Sequence, residues 1–364
     1  MSLIPVTVLT GFLGSGKTTV LNHLLAQPGL AETAVLINEF GAIGVDHLLV
    51  RPLTETVLLL ESGCLCCTVR GDLVEAMRDL FVRRVKGEVP EFNRVVIETT
   101  GLADPAPILH TLINDPILSS RYKLDGIVAT IDAACGDATL DAQAEAVKQV
   151  AVADRLVLTK VDLVSAEQVA ALTARLARLN PAAPLILAEQ GRVDPEAILD
   201  AGLFNRDAKI PDVARWLNEE AFRARDEAAQ AHHHDHHHGH DHDHDHDHDD
   251  PGHDRHDRRI QSFLFTRDEP VSWPALALAL EMIISNQGEN LLRVKGIVNA
   301  QESAEPLAIH GVQHLFHPPA PLPGWPDADH RTRIVFITRD LPRAEVEEVL
   351  NGILDLKEDE DPSD

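Results

Sequence analysis

The run Gly11-Phe12-Leu13-Gly14-Ser15-Gly16-Lys17-Thr18 fills every fixed position of the G-x-x-x-x-G-K-[S/T] phosphate loop, and Thr19 follows it. An apolar stretch precedes this run and a helical pattern follows, the context the loop requires. Its glycines let several backbone N–H groups converge on one point. That point lies at a helix N-terminus, whose dipole favours an anion. Lys17 can then reach the β- and γ-phosphates, and the Thr18 hydroxyl can ligate Mg²⁺. The bland alternative is a Gly-rich turn with an incidental lysine. The complete pattern in its proper context outweighs it.

Two further segments refine this chemistry. Thr159-Lys160-Val161-Asp162 ends an apolar run where a base-reading loop would fall. An aspartate there accepts from the guanine N1–H and exocyclic amine, a donor pair adenine lacks, with the Lys160 stem over the base plane. The usual first residue of such a loop is Asn, and here it is Thr. Between the two motifs, Val95–Thr100 ends a strand with Glu98 and then reaches Gly101. Glu98 fits the acid near a Mg²⁺ shell, and Gly101 is free to approach a γ-phosphate. Lys17 and Glu98 are the catalytic candidates; Glu39, Asp46 and Glu98 are the carboxylates available as a base.

A different chemistry sits at Gly63-Cys64-Leu65-Cys66-Cys67. In extended backbone Cys64 and Cys66 share a side, and Cys67 joins them if the chain turns. Thiolates so grouped suit Zn²⁺, Co²⁺ or Cu⁺. With Glu39, a histidine or water as the fourth ligand, the site could release its metal. Adjacent cysteines strain a disulfide, which disfavours redox pairing of Cys66 with Cys67. Cys135 reads as a small core residue.

Of the 20 histidines, 13 fall in residues 232–257. His232, His233, His234, His236, His237, His238, His240, His242, His244, His246 and His248 form its dense part, alternating with aspartates toward the end. Imidazoles and carboxylates bind borderline metals with little selectivity, so the run reads as a low-affinity scavenging arm. The competing reading is a solvated linker with incidental affinity.

Composition narrows the setting. The chain has 364 residues, 44% of them hydrophobic, which is enough for two cores. Its formal charge of −26 is concentrated in the His/Asp run and the terminal KEDEDPSD, and it argues against a nucleic-acid partner. No segment reaches the roughly 18 unbroken apolar residues of a membrane span, and the N-terminus lacks a signal peptide's basic flank. A cysteine cluster in a chain of this size fits a reducing cytoplasm.

The elements that position these residues alternate. Strands are expected at 6–10, 34–38, 56–60, 94–98, 126–132, 155–159 and 185–188, with helices at 17–26, 71–85, 105–114 and 166–179. Such alternation predicts an α/β domain with a mostly parallel sheet over residues 1–215. Residues 194–231 read as helical, and 216–258 as a helical then His/Asp-rich disordered linker. Residues 259–357 form a smaller α+β domain with strands at 260–266, 291–298, 307–310, 312–317 and 333–338. Its helices are expected at 273–285 and 342–354, and an acidic tail of 358–364 follows.

GFLGSGKTT, INEFGAIGVDH, GCLCCTV, VVIETTGLADP and LTKVD occur in that order and resemble the CobW-type GTPases, a family that includes zinc and cobalt metallochaperones. LLRVKGIV, HGVQHLFHPP and RIVFITRDL look like that family's C-terminal domain. The resemblance spans nearly the whole chain outside the linker. It implies GTP hydrolysis, with GTP, Mg²⁺ and Zn²⁺ or Co²⁺ as ligands. It also implies transfer of the metal to a client metalloprotein or the cobalamin pathway.

Carried over by position, Gly11, Gly14, Ser15, Gly16, Lys17, Thr18 and Thr19 hold phosphate and Mg²⁺. Cys64, Cys66 and Cys67 are the metal thiolates, and Asn38–Gly41 is a switch segment with Glu39 facing the metal. Ala42 stands where some members carry a second acid. Phe12 stands where dimerising relatives carry a lysine, so their dimer mechanism is not carried over and the oligomeric state is left open. The rival readings are a zinc buffer with a structural nucleotide, and a nucleotide-gated chaperone in which metal is incidental.

Overall fold

A computed structural model of the chain describes residues 3–27, 30, 32–37, 57–59, 69–199 and 259–356. In the first half, β1 (Ile4–Gly11) leads into α1 (Lys17–Leu25), followed by β2 (Thr33–Ile37), β3 (Val57–Leu59), α2 (Val69–Lys86) and β4 (Arg94–Glu98). Next come α3 (Ala106–Asn114), the short α4 (Pro116–Ser119), β5 (Tyr122–Asp132), α5 (Gly136–Ala142) and α6 (Ala144–Val152). β6 (Arg155–Thr159), α7 (Ala166–Leu179), β7 (Leu185–Ala188) and the one-turn α8 (Pro195–Ile198) complete it.

The seven strands form one sheet in the order β3-β2-β4-β1-β5-β6-β7, and every pairing is parallel. Helices cover both faces, so central strands are buried on both sides and read as apolar runs, as Val6, Val8 and Leu9 do in β1. β1 leads to β2, and the chain returns to place β4 between them before crossing to β5. The C-terminal ends of β1, β4 and β5 therefore open on one crevice, where such sheets bind ligands. Register fixes what meets there: Leu9 lies opposite Glu98, Gly11 opposite Thr130, and Ile37 opposite both Glu98 and Leu59.

Residues 259–356 form a second layer pair. β8 (Ile260–Arg267), α9 (Trp273–Gln287), β9 (Leu291–Val298), β10 (Leu307–Val312), β11 (Leu315–Phe316), β12 (Ala320–Pro321), β13 (Thr332–Arg339) and α10 (Arg343–Asp355) follow in order. The strands make an antiparallel sheet ordered β11-β10-β9-β13-β8, with β12 paired to β10. α9 and α10 cover one face through Leu276, Leu280, Leu350 and Leu354, packed on Phe263, Val294 and Phe336.

The other face meets the first domain. The register between β13 and β9 shifts near Leu292, a bulge that turns both Leu292 and Arg293 toward that domain. Leu292, Val312, Leu315 and Ile337 join the apolar cluster of Leu109, Ala151 and Val152. Asp154, between α6 and β6, forms an ion pair with Lys295 Nζ at 2.6 Å and accepts hydrogen bonds from Arg293 and from the Ile127 amide, the latter at 2.9 Å. All three charged side chains are 1% exposed. Burial pushes the Asp154 carboxyl up, but Arg293 and Lys295 override it and hold it well below the usual range.

Several expectations need correction. The strand read at 312–317 does not exist as one element: β10 runs on through Val312, and the chain turns at Gln313, whose φ is 55°, before β11. The helix expected from residue 194 stops after one turn, because Leu199 is extended; 200–231 lie outside the described residues. α5 and α6 were not expected at all. Cys135 is exposed rather than buried, since it precedes α5 just beyond the β5 end. Among the described residues no helix is long and apolar enough to cross a membrane.

Candidate nucleotide site

β1 delivers the chain to Gly11, whose φ of 138° suits glycine; a Cβ there would lie 2.3 Å from Thr130 Oγ1. The turn that follows is held from below. Ser15 and Thr130 share a 2.6 Å hydroxyl hydrogen bond, and Thr159 Oγ1 donates to the Ser15 carbonyl at 2.7 Å. Gly14 and Gly16 take positive φ of 74° and 90°, and α1 starts at Lys17. Val20, Leu21, Leu24 and Leu25 bury the opposite stripe of α1, which fixes its N-terminus against the crevice. Lys17 arches back over the loop, donating from Nζ to the carbonyls of Gly11 at 2.9 Å and Phe12 at 3.1 Å.

Glu98, buried at the end of β4, accepts a 2.7 Å hydrogen bond from Thr18 Oγ1. Next to it the Thr99 amide bonds to the Leu9 carbonyl at 2.9 Å, and Thr99 Oγ1 donates to Thr10 Oγ1 at 3.0 Å. Gly101 then passes under the loop, where any Cβ would lie 2.5 Å from the Leu13 nitrogen. Hydroxyl, carboxylate and lysine thus sit on one rim beside the convergent amides of a helix start. That hard oxygen pair matches what Mg²⁺ takes alongside substrate phosphates, so the residues present fit the ion.

On the other side, β5 and β6 end level, with Asp132 opposite Thr159. Lys160 takes a left-handed φ of 56°, and its Nζ bonds to Asp132 Oδ2 at 2.5 Å. Asp132 also accepts from the Ala134 amide at 2.7 Å. This stretches the Lys160 stem beside the crevice. Asp162 is exposed in a one-turn 3₁₀ helix, Val161–Leu163, its carboxylate open to a base. Thr159 does not face solvent: its hydroxyl ties the base loop to the phosphate loop.

Sequence reasoning missed two parts of this crevice. The turn after β7, Glu189–Arg192, brings Gly191 at φ 75° against Thr19, where a Cβ would lie 2.7 Å from Thr19 Cγ2. Its only sequence signal is a Gly after an apolar strand. Buried Gln149 of α6 reaches the carbonyls of Gly101 and Ala103 at 3.2 and 3.1 Å. Nothing in the local sequence marks it.

Glu39, Cys64, Cys66, Cys67 and the histidines of residues 232–248 lie outside the described residues. Among the described residues no group of three or more His, Cys, Asp or Glu is placed to hold a metal. The segments carrying Glu39 and the cysteines nonetheless leave from β2 and β3, whose last residues, Ile37 and Leu59, are paired, with Ile37 also level with Glu98.

A loop of this shape, with a carboxylate drawn onto its threonine at the switch point of a parallel sheet, belongs to the P-loop GTPases. The particular family follows from comparison. Residues 5–187 match the CobW/HypB/UreG nucleotide-binding domain, and 260–354 match the C-terminal domain of the cobalamin synthesis protein cobW. The chain belongs to this CobW family.

It is 32% identical over 353 residues to the zinc chaperone YjiA of Escherichia coli K12, covering 97% of this chain and 99% of that one. A zinc-regulated GTPase metalloprotein activator 1 of Schizosaccharomyces pombe is 36% identical over 212 residues, covering 56% of this chain and 50% of the relative. The crystal structure of Zn(II)-bound YjiA GTPase from E. coli superposes with a TM-score of 0.68 at 29% identity, over 97% of this chain and 99% of that one.

Proposed function

We propose that this GTPase is a metallochaperone, which uses GTP hydrolysis to time the transfer of a transition metal, zinc first and cobalt next, to a client metalloprotein. The supporting observation is the shared edge of β2, β3 and β4. The chain leaves Ile37 for Glu39, and leaves Leu59 for Cys64, Cys66 and Cys67, from the level of Glu98. Similarity over nearly the full length to a zinc chaperone supports the same reading.

In this mechanism the Thr18 hydroxyl and the Glu98 carboxylate hold Mg²⁺, which when bound neutralises charge on the β- and γ-phosphates. Lys17 exchanges the Gly11 and Phe12 carbonyls for phosphate oxygens. Asp162 reads the guanine edge, and the stem of Lys160 flanks the base. Loss of the γ-phosphate releases the segments bearing Glu39 and the thiolates, which loosens the metal as substrate. Residues 232–257 collect metal at low affinity, and the protein works in a reducing cytosol that keeps its thiols free.

A transfer assay tests this. Zinc-loaded protein is mixed with a zinc-requiring apo-enzyme and given GTP, a non-hydrolysable GTP analogue or GDP. The expected result is client activation that tracks hydrolysis. Equal activation under all three conditions would contradict timed transfer. Deleting 232–257 lowers the number of ions bound and leaves GTP turnover nearly intact.

A further inference from the structure

The nine residues of α6 touch both halves of the molecule. On one side Gln149, 2% exposed, donates from Nε2 to the carbonyls of Gly101 at 3.2 Å and Ala103 at 3.1 Å. Both partners are acceptors, so the amide has one orientation. One residue earlier, Lys148 Nζ reaches Asp104 Oδ2 at 2.5 Å. The helix therefore holds three of the six residues that follow Glu98, including the glycine that lies against the Leu13 nitrogen of the phosphate loop.

On the other side Ala151 and Val152 pack with Leu292 of β9 in one apolar cluster. Two residues past the helix, Asp154 takes up Arg293 and Lys295, also of β9. Burying a primary amide beside Ala146 and Val150 costs free energy unless it is bonded, and a leucine or methionine would fill the same space. What the amide adds is a fixed position for the 101–103 backbone.

We propose that Gln149 is a positioning residue for GTP hydrolysis. Through it, α6 relays the position of residues 101–104 to the C-terminal sheet. A loop pressed on one side by the phosphate end of the molecule and pinned on the other by Gln149 cannot shift without moving α6. α6 cannot move without loading the Asp154 contacts to β9. The C-terminal domain thereby senses which nucleotide is bound. This rests on the GTP-hydrolysing site, not on metal transfer.

The test uses the full chain with Gln149→Glu, which keeps the shape but removes the donor, and Gln149→Met. Lys148→Met, at a partly buried ion pair with Asp104, serves as an independent second variant. Steady-state kcat and KM for GTP are measured. Hydrogen exchange of the β9 amides is compared between a non-hydrolysable GTP analogue and GDP.

In the Gln149 variants kcat falls about tenfold with KM within about twofold, as expected for misplacement of a loop rather than lost binding. The nucleotide-dependent difference in β9 exchange disappears, and Lys148→Met shows a smaller change of the same kind. Folded variants with wild-type kcat overturn the positioning role, and a β9 difference that persists overturns the relay. A wild-type protein without turnover would contradict the hydrolase assignment itself and overturn both.

Discussion

Thr18 and Glu98, eighty positions apart, meet through a 2.7 Å hydrogen bond from the threonine hydroxyl to the carboxylate. One stands in the first turn of α1 and the other at the end of β4. The pairing of Leu9 with Glu98 sets the end of β4 level with β1, which leads through the phosphate loop into α1. A hydroxyl and a carboxylate so joined, beside a lysine and a helix start, form an acidic notch on the rim of an anion site.

Thr18→Ala should lower kcat for GTP about a hundredfold, since a preorganised contact at the phosphate-bound cation is lost. The Mg²⁺ concentration giving half-maximal rate should rise at the same time. Titrating Mg²⁺ at saturating GTP checks both. An unchanged Mg²⁺ midpoint would place the ion elsewhere.

If Asp162 reads the base as proposed, Asp162→Asn should weaken GTP by about two orders of magnitude, through loss of the carboxylate that would accept the two guanine donors. The amide offers a donor to the second carbonyl of xanthine, so xanthosine triphosphate should gain what GTP loses. Competition binding of the two nucleotides reads this out. The Thr159 hydroxyl, which donates to Ser15 and not toward the base, should tolerate xanthine equally well.

Asp154→Asn leaves Arg293 and Lys295 buried without their counter-charge, and should cost about 3–5 kcal/mol of stability. The half-exposed pair of Arg343 and Glu347 is a control: Arg343→Met should cost less than about 1 kcal/mol. Urea midpoints of the two variants make the comparison. Similar losses would show that the domain contact does not depend on Asp154.

Acid should loosen the same contact. Burial, with Arg293 adding to it and Asp154 opposing, pulls His317 down to about 4 from an ordinary 6.5. His310, across a 4.9 Å ring contact, is lowered in the same direction, again chiefly by burial. Between those values the unfolded chain binds a proton that the folded chain refuses, so stability falls as pH drops from 6.5 toward 4. His317→Gln should show a shallower loss of urea midpoint over that range.

What the sequence made legible follows from where burial is two-sided. β4 and β6 read directly, because strands covered on both faces are apolar runs closed by turn residues. The phosphate loop read directly because its glycines have no other common use at that spacing. α5 and α6 were hidden: their buried faces are built from small residues such as Ala146, Val147 and Ala151, and Gln143 breaks the pattern between them. Gln149 was hidden with them.

The turn at Gln313 was missed because neither Gln313 nor His314 is a Gly, Pro, Asn or Asp, and apolar residues, Val312 before and Leu315 and Phe316 after, flank it on both sides. No periodicity marks Arg293, either, since its partner lies 139 positions away. Cys135 misled because a lone cysteine after a strand resembles core, whereas the chain there has already left the sheet.

Metal competition against a chromophoric chelator, run on one preparation with a GTP analogue, with GDP and without nucleotide, addresses the account most directly. The expected result is zinc affinity at least about tenfold higher with the GTP analogue than with GDP, the scale of an ordinary coupling free energy. The difference should vanish in Cys64→Ala/Cys66→Ala/Cys67→Ala. The same zinc affinity in every nucleotide state would contradict the account.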